Sequence, residues 1–101
     1  MSGYYILDGH TPVAADLMTW AKWLETKREE KHVGLTEKDG VKVSTVFLGL
    51  NHEWNEGMPP LLFETMIFGG EHDEYQERCS TWKQAEEMHT TACKLAFGEM
   101  L

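Results

Sequence analysis

The Asp39-Gly40 dipeptide constrains the fold of this chain more than any other local feature. It separates two runs that are rich in β-branched residues, 33–36 and 41–48. Both central residues of a two-residue hairpin turn take positive φ, which Asp tolerates and Gly adopts freely. The pattern therefore predicts a β-hairpin. The chain remains apolar on both strand faces over residues 46–50, so we expect this strand in the centre of a sheet or covered on both sides.

The other elements can be placed around this hairpin. Strand-like composition occurs at residues 4–7, 61–68 and 75–79, and an extended linker is expected at 10–13 because of Pro12. Asp16 is a candidate N-cap of a first helix, and the spacing of Thr81 and Gln84 predicts a capping box on a second. The order β-α-β-β-β-β-α predicts a single α+β domain over residues 1–101. We expect an antiparallel sheet of four or five strands with two helices on one face.

The acidic charge of the chain limits the kinds of partner it can have. The formal net charge is −8, and residues 43–77 contain no Lys or Arg. The carboxylates of this acidic segment are Glu53, Glu56, Glu64, Glu71, Asp73, Glu74 and Glu77. Direct nucleic-acid binding is disfavoured, because it depends on Lys and Arg that neutralise phosphates. Two interpretations stay open: a solvated acidic surface, or an electronegative face that docks on a basic protein.

Export, membrane and metal signals are missing from the sequence. The chain starts without a basic and apolar leader, and no stretch approaches the roughly 20 apolar residues of a membrane span. Cys79 and Cys93 follow no metal spacing, and none of the five histidines pairs with another at i, i+4. The expectation is a cytosolic protein with reduced thiols, no membrane association, no metal and no cofactor.

A ten-residue loop at 51–60 is the first candidate for a binding site. It carries His52, Glu53 and Trp54. A His beside a Glu can act as an acid/base pair, and a Trp can stack on a ring. The alternative is a loop whose polar residues are solvated. Trp54 has no strand or helix pattern that explains it as core, so it either folds back over the sheet as a lid or contacts a ligand or second chain.

A second candidate lies on the following strands. Glu64 interrupts an apolar strand, and Arg78 is the nearest basic residue in sequence. Burying an unpaired carboxylate is costly, so we predict a cross-strand ion pair between them. This pair is either structural or the polar end of a ligand pocket, to which Tyr75 and Trp54 would add aromatic rings. Because both faces of the sheet would carry apolar side chains, a homo-oligomer is also predicted.

Several segments together resemble a known protein family. They are residues 5–9 and 16–21, 43–52 (VSTVFLGLNH), 59–70 (PPLLFETMIFGG), and the helix start with Ser80-Thr81-Trp82, Ala85 and His89. The chain resembles, over most of its length, a family of small uncharacterised proteins encoded by tailed bacteriophages and prophages. The resemblance implies expression in the cytoplasm of an infected bacterial host, and it carries over no catalytic residue.

This setting suggests a non-enzymatic binder that antagonises a bacterial defence system. In one form it binds a host defence protein through its acidic face; in the other it sequesters a small nucleotide ligand at a subunit boundary. The enzyme alternative is a small hydrolase or nuclease that uses His52 and Glu53. The structural alternative is a virion or assembly component.

Overall fold

The computed structural model describes residues 3–98, which form six strands and two helices. The elements follow one another as β1 (Tyr5–Asp8), β2 (Thr11–Ala14), α1 (Leu17–Thr26), a 3-10 helix (Arg28–Lys31), β3 (His32–Lys38), β4 (Val41–Phe47), β5 (Phe63–Phe68), β6 (Gln76–Cys79) and α2 (Trp82–Phe97). The predicted α+β class and element order are confirmed. The segment expected as an extended linker is extended, but it forms β2, in which Pro12 lies opposite Leu7 of β1.

The strands form two antiparallel sheets, a β1–β2 hairpin and a four-stranded sheet in the order β3-β4-β5-β6. The predicted turn joins β3 to β4, with φ of 51° at Asp39 and 81° at Gly40. The apolar β4 is a central strand, as its composition indicated. A single backbone bridge, Tyr4 to Leu50, links the small hairpin to the end of β4.

The helix caps follow the sequence signals. Asp16 Oδ1 accepts a hydrogen bond from Thr19 N at 2.8 Å, which lowers the pKa of this exposed carboxyl group. At α2, Thr81 and Gln84 form the expected capping box. The apolar face of α1 is only partly buried. Trp23 is buried, whereas Leu17 and Met18 are exposed, because the helix touches the rest of the protein along one side only.

Both helices pack on the same face of the four-stranded sheet, which we call the inner face. Trp23 of α1 meets the ring of Phe47 edge-on at 5.7 Å, and Trp82 of α2 meets Phe63 edge-on at 6.1 Å. Phe47 and Phe63 are themselves in contact across β4 and β5. The predicted placement of two helices on one face is therefore confirmed.

A polar layer divides the core into two apolar clusters. The first contains Phe47 and Phe63, and the second contains Val43 and Ile67. Between them, the fully buried Thr45 and Thr65 are hydrogen-bonded through their hydroxyl groups. His89 of α2 completes the layer: its Nδ1 lies 2.7 Å from Thr45 Oγ1, and its Nε2 lies 3.0 Å from Thr36 Oγ1. Burial lowers the pKa of His89, so its neutral form is favoured.

No described element covers the opposite, outer face of the sheet. Leu35 is 59% exposed and Phe68 is 42% exposed, with the ammonium group of Lys42 5.1 Å from the centre of the Phe68 ring. Met66, opposite Ser44, and Val46, opposite Glu64, also lie on this face and are half-buried. The outer face thus combines apolar side chains with charged groups at its margins.

Candidate binding loop and cleft

The connection between β4 and β5 is a protruding loop with a fixed neck. The side chain of Asn51 ties the two ends together, since its Oδ1 accepts hydrogen bonds from Glu53 N at 2.8 Å and from Leu61 N at 3.1 Å. The backbone of His52 also donates to Leu61 O at 3.0 Å. Gly57 takes a φ of 85° within the loop. A loop closed at its neck in this way holds its tip in a defined position.

The tip of this loop presents apolar side chains to solvent. Trp54 is 94% exposed and Met58 is 55% exposed. The interpretation of Trp54 as a lid over the sheet is therefore wrong, because a lid would bury its indole ring. Trp54 thus remains available to contact a ligand or another chain.

The neighbouring His52 and Glu53 do not pair with each other. Glu53 Oε1 accepts hydrogen bonds from the backbone and the side-chain amide of Asn55, at 2.9 and 3.2 Å. The imidazole of His52 has no recorded contact with that carboxylate. The arrangement shapes the loop, and it supplies no acid/base pair of the kind that a hydrolase requires.

Glu64 and Arg78 form the predicted cross-strand pair on the outer face. Arg78 Nε lies 3.0 Å from Glu64 Oε2, and Gln76 donates a hydrogen bond to the same oxygen. The guanidinium-bearing side chain is 34% exposed, against 14% for the glutamate. Solvent reaches the arginine, so screening keeps the contribution of this half-buried pair small. The pair is satisfied locally and needs no ligand to complete it.

Tyr75 lies on the other face of the sheet from Arg78 and Glu64. It packs against the second apolar cluster on the inner face, and its backbone carbonyl accepts a hydrogen bond from Ile67 N at 3.1 Å. Burial, and then the nearby Glu77 carboxylate, raise the pKa of its phenol. Trp54, by contrast, belongs to the loop before the start of β5. One copy of the chain therefore does not bring Tyr75, Trp54 and Arg78 into one pocket.

The acidic segment is also divided by the fold. Glu53 and Glu56 lie on the loop before β5, whereas Glu71, Asp73 and Glu74 lie on the turn after it. The six residues of β5 separate these groups by roughly 20 Å at the rise of an extended strand. The loop carboxylates and the turn carboxylates therefore form two separate groups, and Glu64 and Glu77 lie on the strands between them.

A cleft that the sequence did not reveal lies beside the start of α2. It has a volume of about 390 Å³ and is lined by Gly9, His10, Glu30, His32 and Trp82. Three separate parts of the chain supply these residues, so no spacing motif could have indicated it. The rings of His10 and Trp82 are stacked, with centroids 3.7 Å apart and planes 2° from parallel. The indole Nε1 of Trp82 is buried without a hydrogen-bond partner in the described part of the chain.

Within residues 3–98, no group of three or more His, Cys, Asp or Glu side chains is arranged to hold a metal ion, although two histidines and a glutamate line the cleft. Cys79 and Cys93 are both free, and burial raises the pKa of Cys79 to about 11. None of the helices in this range has the length and hydropathy needed to cross a membrane.

Comparison of the chain with protein-family models, curated proteins and solved structures gives no match.

Proposed function

We propose that this chain is a non-enzymatic binding protein whose docking element is the loop at 51–60. The observation that carries the proposal is the exposure of Trp54, 94%, on a loop whose neck is closed by Asn51. When a partner covers an exposed tryptophan, apolar surface is removed from water, and this favours binding. Tryptophan is also among the residues that most often dominate the binding energy of an interface. A fixed loop also loses less conformational freedom on binding than a flexible one.

The charge around Trp54 indicates the chemistry of the partner. Glu53 and Glu56 flank the indole, and residues 43–77 contain no Lys or Arg that would neutralise them. A basic surface with an apolar pocket for Trp54 and Met58 would match this loop. The partner is therefore proposed to be a basic protein. Such an interaction weakens as the salt concentration rises.

The resemblance to phage-encoded proteins supports a proposal for the biological setting. A small binder made inside an infected bacterium would act on a host protein, and we propose a defence protein as the target. The nucleotide-sequestering form, as built from Arg78, Trp54 and Tyr75, finds less support, since Tyr75 and Trp54 lie at opposite ends of β5. The virion or assembly role has no observation in its favour.

The proposal is tested with the Trp54→Ala variant. The immobilised wild-type protein should retain a basic bacterial protein at low salt and release it at roughly 0.5 M NaCl. Trp54→Ala should lose that protein while its free energy of unfolding changes by less than about 0.5 kcal/mol, because the side chain has no described packing to lose. The Glu53→Lys/Glu56→Lys double variant should also lose it.

A matched control comes from Met18, another exposed apolar side chain, which is 78% exposed and belongs to α1 rather than to the loop. Met18→Ala should retain the partner as the wild type does. Equal retention by Trp54→Ala would show that the loop is not the docking element. In bacteria that carry a defence system targeted by the protein, expression of the wild type should restore plaque formation, and expression of Trp54→Ala should not.

A further inference from the structure

The cleft beside α2 has features of a ligand site that the docking loop does not explain. Its volume of about 390 Å³ lies in the range of small-molecule sites. One wall is the ring of Trp82, which is held by its edge-on contact with the buried Phe63. One face of the same ring carries His10 at a stacking distance of 3.7 Å. The Trp82 ring is therefore a platform on which a planar ring can stack, and in the structure that ring is His10.

His10 is the removable part of this arrangement. It lies at the tip of the β1–β2 hairpin, next to Gly9 with a φ of 64°, and its side chain is exposed. The imidazole makes no hydrogen bond to any described residue, so moving it breaks its stack with Trp82.

The polar groups of the cleft would recognise a heteroaromatic ring. The Glu30 carboxylate can accept hydrogen bonds from an exocyclic amino group, and the His32 imidazole can donate or accept. A ring that carries both an acceptor atom and an amino group matches this set. Adenine, guanine and cytosine are rings of this kind.

We propose that this cleft binds the base of a free nucleoside or nucleotide, which stacks on Trp82 in the place that His10 occupies in the structure. The ligand is a free nucleoside or nucleotide and not a nucleic-acid strand, because the net charge of −8 on the protein repels a chain of phosphates. The proposal is independent of the docking loop and goes beyond the function assigned to it. Glu30 selects bases with an amino group over uracil and hypoxanthine.

The test uses adenosine, AMP, uridine and a twelve-nucleotide single strand as probes, with the indole N–H resonance of Trp82 as the readout. That resonance is assigned from its loss in Trp82→Phe. Adenosine and AMP should shift it in a saturable way, and uridine should bind at least about tenfold more weakly. His10→Ala should bind adenosine about threefold to tenfold more tightly, because the base no longer displaces a stacked ring.

The controls separate a site effect from a fold effect. His72→Ala removes a histidine from the turn after β5, at the other end of the sheet, and should leave adenosine binding unchanged. Glu30→Gln replaces an exposed acceptor and should reduce the preference for adenosine over uridine. No shift of the Trp82 resonance with any probe would overturn the proposal. Loss of binding in a folded His10→Ala variant, or binding of the strand alone, would overturn it equally.

Discussion

His89 is the residue of the polar layer that links the stability of the fold to pH. Its two ring nitrogens contact hydroxyl groups on two strands, Thr45 of β4 and Thr36 of β3. A neutral imidazole can donate at one nitrogen and accept at the other, and either tautomer satisfies both hydroxyls. Protonation leaves a cation in a half-buried site, and this partial loss of hydration lowers the pKa of His89.

We predict that the protein loses stability as the pH falls below about 6.5, the ordinary pKa of histidine. The unfolded chain takes up a proton at His89 there, while the folded protein, with its lowered pKa, does not. Protonation of the unfolded state therefore reduces the free energy of unfolding until the pH reaches the pKa of the folded state. Urea unfolding between pH 7.5 and 5 measures this slope.

The His89→Gln variant should flatten that slope, since glutamine does not titrate. His72→Gln serves as the matched control and should keep the wild-type slope, because His72 is not part of the Thr–His layer. If the wild type and His89→Gln show the same pH dependence, His89 does not control acid stability.

At the scale of elements, the β3–β4 hairpin is the part of the fold that local chemistry determines most strongly. The φ of 81° at Gly40 is a conformation that β-branched residues rarely adopt, and a Cβ at this position would meet no atom within 4 Å. A substitution at Gly40 therefore reports backbone strain without a steric clash, which makes the turn a clean test of the hairpin.

Gly40→Val should lower the free energy of unfolding by about 1 kcal/mol or more, because valine is strained at positive φ. Gly40→Asn is the matched control and should cost less, since asparagine tolerates the left-handed region. Both values come from chemical denaturation. Neither variant should change the retention of the protein partner, because the Asn51-closed loop is at the other end of β4. Equal stability of the two variants would mean that strain at this turn is negligible.

The elements that could be predicted are those whose signals are local. The hairpin turn, the two helix N-caps and the Glu64–Arg78 pair each depend on residues close in sequence or on adjacent strands. The cleft could not be predicted, because His10 and Trp82 are 72 positions apart in the sequence (82 − 10) and meet only after the whole chain has folded. The exposure of Trp54 was undecided for a similar reason: nothing in the sequence says which way a loop turns.

At the scale of the whole molecule, the sheet has one covered and one open face. The helices bury the inner face, while Leu35 and Phe68 remain exposed on the outer face. Apolar side chains in a group on an open sheet are often covered by another chain. We therefore expect the homo-oligomer predicted from the sequence to form through the outer face.

We predict that the chain self-associates at micromolar concentrations and that Leu35→Lys shifts it toward the monomer. Leu35 is 59% exposed in the single chain, so the substitution should leave the melting temperature within a few degrees. Analytical ultracentrifugation over a concentration series measures the shift. A wild-type protein that sediments as a monomer at every concentration would rule out the oligomer.

The closed neck of the loop has a consequence for how such a protein can change over time. Because Asn51 fastens both ends to each other, the residues at the tip contribute little to the folding of the domain. Substitutions at the tip can therefore accumulate while the domain keeps its fold, as they do in the variable loops of an antibody domain. The same property makes residues 53–60 a natural place to graft a foreign recognition sequence onto a small and otherwise unchanged domain.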